Sequence, residues 1–271
     1  MKEHEQWHKL EEDNDNGDKY LTKYYVPSSY EIKNELSWLT SNLFGACMKF
    51  QTPTVVEASI SKGYIKMVKV ESESKLEPEE ILTEIISLAS ELHSVIKSPE
   101  PRLRNHANAS EFIPYLKEFA KNKLRLIGSE IEIDPRIIEL MLINLESIKT
   151  PYFSIVHRDL RYRHVLQISD QKPVLIDWEF SNISHFGHDL AKLICDYVVN
   201  HGFDANYIMK TVIETYRDLT KIPEDLIFKA VRAFIPLVLL EHGASFVQRK
   251  CTDYMTAAKK DIEQLRVFTF L

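Results

Sequence analysis

The chain has 271 residues, 44% of them hydrophobic and 27% charged, which is enough for a sizeable core in one large domain or two small lobes. A formal net charge of -6 at pH 7 leaves no basic footprint, so nucleic acid is not expected as the main partner. The polar, acidic start MKEHEQWHKLEEDNDNGDKY reads as neither signal peptide nor anchor, and no uninterrupted apolar stretch reads as a membrane span. Cys47, Cys195 and Cys251 lack paired spacing, which argues against a disulfide framework or a zinc site and for a reducing, cytoplasmic setting without a membrane.

Taken in chain order, residues 5 to 25 predict a hairpin, because two mixed segments flank DNDNG with its Asn16-Gly17 turn pair. A helix follows from about Pro27-Ser28-Ser29, with Ile32, Leu36, Leu39 and Leu43 on one face, and it stops by Gly45. TVVEASI and YIKMVKV around Ser61-Lys62-Gly63 predict a second hairpin, rich in β-branched residues. Beyond the polar bridge ESESKLEPEE helical periodicity takes over, with Leu82, Ile85, Ile86, Ala89, Leu92 and Ile96 on one stripe.

KSPEPRLRNHANAS reads as a loop, Phe112 to Leu126 as a helix, and Asp134-Pro135 as an N-cap with proline at the first helical position. HVLQI and PVLIDW then read as two short strands around the turn-forming SDQK. Helices return at 189 to 200, 204 to 219, 223 to 248 and roughly 253 to 268. The fold class expected is therefore α+β: a sheet lobe with one helix over residues 1 to 72, and a mainly helical lobe over 73 to 271. A cleft between two unlike lobes is the natural place for a ligand.

Chemistry concentrates in VHRDLRYRHVLQISDQKPVLIDWEF, residues 156 to 180. Phosphoryl transfer needs one carboxylate to orient or deprotonate the attacking hydroxyl and another to hold the metal that neutralises the phosphates. Asp159 precedes the first strand and Asp177 ends the second, so a hairpin of the two brings both carboxylates to one edge.

His157-Arg158-Asp159-Leu160, Ile176-Asp177-Trp178-Glu179 and Asp189-Leu190-Ala191, with LASELHS at 88 to 94, resemble the aminoglycoside phosphotransferase and choline kinase family. The resemblance implies a two-lobed protein-kinase-like fold, and in this sequence the sheet lobe is reduced, starting one strand late. It also implies ATP and Mg2+ as cofactors and a small-molecule hydroxyl as acceptor; Mn2+ is an alternative raised by the residue at position 164. Asp159 matches the catalytic base, Asp177 the main magnesium ligand, and Asp189 an aspartate that braces the catalytic loop. Lys23 and Glu35 match the strand lysine and helix glutamate that grip the nucleotide phosphates, with Lys19 a rival for the first. Arg161 sits where eukaryotic-type protein kinases place a phosphate-contacting lysine. However, a spacing of twelve positions from Asp177 to Asp189 is too short for their activation segment.

Two departures stand out. Position 164 is His where the family has Asn as second metal ligand, and imidazole nitrogen suits softer ions than magnesium. No Gly-rich phosphate loop exists among the seven glycines. These departures leave open an inactive kinase-fold binding or regulatory module. A second alternative takes His157, His185, His188 and Asp189 for an HD-type metal phosphohydrolase, although His185 is expected in a loop and that motif belongs in helices. The acceptor and the oligomeric state have no signature in the sequence.

Overall fold

The computed structural model describes residues 9–15, 18–41, 43–44, 48–70, 77–95, 112–128, 130–148, 153–167 and 171–248, with 256, 259–260 and 263–264 beyond them. The Asn16-Gly17 turn, the expected loop at 97–110 and most of the expected helix at 253–268 lie outside the described residues. The chain divides into two compact units, Met1–Glu77 with Arg163–Ser181, and Pro78–Tyr162 with Asn182–Leu271.

The first unit is built on a four-stranded antiparallel sheet of β1 (Lys9–Asp15), β2 (Asp18–Tyr24), β3 (Val55–Ser59) and β4 (Tyr64–Val68), in the order β1-β2-β4-β3. Period-two alternation decides which side chains face inward. Leu21 opposes Met67 and Lys23 opposes Ile65, so Lys23 shares a face with two buried apolar residues of β4. The β3–β4 turn needs Gly63, whose φ is +76° and where a Cβ would lie 2.5 Å from the Tyr25 carbonyl.

Helix α1 (Tyr30–Leu39) buries Ile32, Glu35 and Leu39. The expected apolar stripe is thus corrected at two places: Leu36 is only half-buried, and Leu43 lies past the helix end and is exposed. A polar residue holds the centre of the buried face because it has a charged partner there. Strands β6 (Val165–Leu166) and β7 (Val174–Leu175) pair antiparallel, shorter than the sequence suggests, and Gln51 ties residues 48–51 to β7 through bonds to Pro173 and Leu175. Trp178 is fully buried against Phe44 and Phe50, with its indole N–H on the Leu175 carbonyl.

The second unit is mainly helical: α2 (Pro78–Val95), α3 (Phe112–Gly128), α4 (Pro135–Glu146), α5 (Gly187–Cys195), α6 (Ala205–Thr220) and α7 (Glu224–Gln248). Asp134 caps α4 by accepting from the Arg136 N–H, and Asp204 caps α6 through the Tyr207 N–H. A π-helical turn at Asp196–Asn200 extends α5. One pair of strands went unread in the sequence, β5 (Phe153–Val156) with β8 (Asn182–His185), every residue of which is buried. His185 therefore lies in a strand rather than a loop. Helix α7 is apolar and long enough to cross a membrane by length and composition, and 72% of its span is buried inside the protein.

Candidate active site

Sequence-predicted site residues fall into two clusters, one in each unit. In the sheet unit, strand alternation turns Lys23 inward and the α1 face turns Glu35 toward it, giving an ion pair of 2.9 Å between Nζ and Oε2. Asp177 Oδ1 lies 2.5 Å from the same ammonium and Glu179 Oε2 lies 2.9 Å from it. The Tyr25 hydroxyl donates to Glu35. Lys19 is exposed and four residues back along the strand, about 13 Å away at the usual rise.

Segment 177–181 is held against α1 by Asn34, which donates to the carbonyls of Glu179 and Ser181 at 2.8 Å each, and by the Trp38 indole on Ser181. Asp177 has a φ of 71°, a left-handed conformation that a non-glycine residue adopts at some energetic penalty and that clusters at functional positions. The β6–β7 ladder places His164 beside it: the Ile176 N–H donates to the His164 carbonyl, and His164 Nε2 lies 3.5 Å from Asp177 Oδ2.

One ammonium among these carboxylates leaves negative charge in excess. Burial opposes the Lys23 charge, but Glu35 and Asp177 outweigh it and hold its pKa well above the ordinary value. Burial pushes the Glu35 carboxyl upward against the attraction of Lys23, with Asp177 adding repulsion. Ligand oxygens of Glu35, Asp177 and Glu179 all lie within 4.8 Å of one another. This hard-oxygen set with excess negative charge, beside the half-buried Asp177, fits a divalent cation.

In the helical unit, the loop after β5 carries His157, Arg158 and Asp159. Asp189, fully buried in the first turn of α5, accepts from the backbone N–H groups of His157 at 2.8 Å and Arg158 at 2.7 Å. His93 of α2 approaches the same carboxylate at 3.1 Å and is bonded in turn to the Tyr216 hydroxyl at 2.8 Å. His93 belongs to the LASELHS segment, and this contact is its structural role. Although burial raises the Asp189 pKa, the bond and charge of His93 outweigh it and leave it lowered. Arg158 takes a φ of 64° and reaches Glu241 at 3.1 Å.

Asp159 is buried, and its Oδ1 accepts from Arg161 Nε at 2.6 Å and Lys192 Nζ at 2.8 Å. Lys192, His242, Glu241 and Tyr25 were not singled out in the sequence. Lys192 was legible in principle, since it falls one helical turn after Asp189. Tyr25 was legible as the inward neighbour of Lys23 at period two. Nothing local marks Glu241 or His242, which arrive from a distant helix. Asp189 is occupied by backbone donors, and among the described residues no potential metal cluster includes it, His185 or His188.

The small antiparallel sheet with its Lys–Glu pair and the helical unit with its braced HRDL loop define a protein-kinase-like fold of the small-molecule phosphotransferase type. Solved structures share this fold. A choline kinase from Streptococcus pneumoniae superposes with a TM-score of 0.65 at 17% identity, over 96% of this chain and 90% of that one. A macrolide 2'-phosphotransferase from Brachybacterium faecium gives 0.63 at 13% identity, over 95% and 89%. An aminoglycoside phosphotransferase gives 0.65 at 11% identity, over 97% and 90%. No curated protein sequence matches. The chain belongs to the phosphotransferase enzyme family, whose model matches residues 54–218.

Proposed function

We propose that the protein is an ATP-dependent phosphotransferase that moves the γ-phosphoryl group to a hydroxyl of a small molecule. The observation that carries this reading is the buried Lys23–Glu35 pair with Asp177 on the same ammonium. Lys23 and Glu35 lie outside the segment matched by the family model, so they support nucleotide use independently of it.

Each residue then has a chemical task. Lys23, kept protonated by its carboxylates, exchanges part of that contact for phosphate oxygens of the nucleotide. Asp177 and Glu179 of the hard-oxygen set, with His164 beside Asp177, would hold a divalent cation, Mg2+ or Mn2+. Such an ion supplies shielding of the phosphate charge. Asp159 accepts the proton of the acceptor hydroxyl as its oxygen bonds to the γ-phosphorus and the bond to the ADP oxygen breaks. Asp189 fixes the backbone that carries Asp159. An inactive regulatory role is the less favoured reading, since ionisable groups buried together in this way concentrate at working sites.

Calorimetric titration of ATP with Mg2+ and with Mn2+ tests the reading. Saturable, metal-dependent binding that Lys23→Met abolishes is the expected result, and the absence of binding with either metal would overturn it.

A further inference from the structure

We propose that Lys192 is a positioning residue of the phosphoryl-transfer site, clamping the Asp159 carboxylate together with Arg161 while His242 anchors both cations. The inference rests on the phosphotransferase reading above. Lys192 stands three residues after Asp189 on α5, so the helix face that braces the loop backbone also presents an ammonium to the loop's carboxylate.

Lys192 and Arg161 converge on one oxygen, Asp159 Oδ1, at 2.8 and 2.6 Å. Behind them, His242 Nε2 lies 3.0 Å from the Arg161 guanidinium and is also in contact with the Lys192 ammonium. A nitrogen facing two cations can only accept, which places the ring proton on Nδ1 and leaves the imidazole neutral. Burial first, then the charges of Lys192 and Arg161, hold the His242 pKa well below its ordinary value, consistent with that tautomer. Burial likewise lowers the Lys192 pKa, and Asp159 is the largest opposing influence.

Among the described residues Glu241 also acts on Lys192 and His242, and it is bonded to Arg158 at 3.1 Å. Lys192 is almost wholly buried, so a surface role for its charge is not available. The geometry gives it one: two donors on a single oxygen fix the rotation of the carboxylate. A hydroxyl can be activated only by an oxygen held in a defined direction, and small misplacements reduce rate strongly.

Because the acceptor is unidentified, ATP hydrolysis with water as acceptor is the assay. Lys192→Met is expected to lower kcat at least about tenfold with KM for ATP unchanged, and Lys192→Arg to recover part of the loss. In an Asp159→Asn background Lys192→Met should cause no further loss, because it acts through Asp159. A loss there as large as in the natural protein would mean that Lys192 acts on the phosphoryl group directly, and the proposal would fall. If Lys192→Met does not fold, His242→Leu is expected to reproduce the kcat loss, and unchanged kcat would overturn the proposal. Nucleotide titration separates the two ideas: a protein that binds no nucleotide defeats the phosphotransferase reading. A crystal structure of Lys192→Met, or of His242→Leu, then still decides this one: a displaced Asp159 carboxylate supports it and an unmoved carboxylate refutes it.

Discussion

Lys23 and Glu35 are twelve residues apart in sequence and bonded at 2.9 Å in the interior of the sheet unit, one from a strand and one from a helix. A charge on the apolar face of α1 is stable there only because the strand supplies its counter-charge, and the pair in turn meets Asp177 and Glu179.

Lys23→Met would leave those carboxylates without their ammonium, and breaking a buried pair from one side costs about 3–5 kcal/mol. Lys23 has a folded pKa above its unfolded value of 10.5, so its stabilisation is complete below pH 10.5 and fades as pH rises through the folded value. Chemical denaturation of both proteins at pH 5, 7 and 9 should show the variant's deficit smallest at pH 5, because burial holds the Glu35 carboxyl upward and favours its neutral form as pH falls.

Asp159→Asn is expected to lower phosphoryl transfer by roughly 10²–10⁴-fold, leaving a measurable residual rate, while preserving nucleotide binding. Its position in a loop suggests little effect on folding, but Asp159 is buried and holds Arg161 and Lys192, so neutralising it also underpairs two cations. A stability loss of roughly 1–3 kcal/mol should accompany the loss of activity. Thermal unfolding beside a nucleotide titration checks both.

Asp189→Ala removes the acceptor of two buried backbone N–H groups, at roughly 1–3 kcal/mol for each donor left unsatisfied. In the natural protein the folded pKa of Asp189 lies below 3.8, so its contribution is present above pH 3.8 and is lost as pH falls through the folded value. Urea unfolding at pH 7 and pH 3 should therefore show a large variant deficit at the first and a smaller one at the second.

His164 stands 3.5 Å from Asp177 Oδ2 where an amide oxygen would suit magnesium better. ATP binding should be tighter with Mn2+ than with Mg2+ in the natural protein, and His164→Asn should narrow or reverse that preference. Equal ratios in both proteins would exclude His164 from the metal site.

His185 is buried beside Phe234, its Nδ1 accepts from the Gly187 N–H, and burial, with His93 adding repulsion, pushes its pKa down to about 3. Between the unfolded value of 6.5 and that folded value the unfolded chain binds the extra proton, so stability must decline as pH falls through this window. His185→Asn keeps an acceptor for Gly187 but does not titrate. The difference in urea midpoint between pH 7 and pH 5 should be smaller in the variant.

Sequence alone determined the parts of this protein that depend on local patterning. The antiparallel hairpin pattern of the first unit, the long amphipathic helices and the Asp134 cap follow from side-chain periodicity and turn chemistry, which neighbouring residues impose on one another. The spacing of Asp159, Asp177 and Asp189 was legible for the same reason, because the motif residues are close in the chain. Tertiary structure alone decided which charges meet. Alternation puts Lys19 and Lys23 on one face of β2, and it is the register of β2 on β4, with Lys23 opposite the buried Ile65, that chose Lys23; the packing of α7 brought His242 to Lys192 and Glu241 to Arg158. The β5–β8 pair escaped reading because its residues are all buried, which erases the alternation that marks a half-exposed strand. Buried ion pairs are long-range: each charge is unfavourable in its own segment, and only the folded chain supplies the partner that makes it stable.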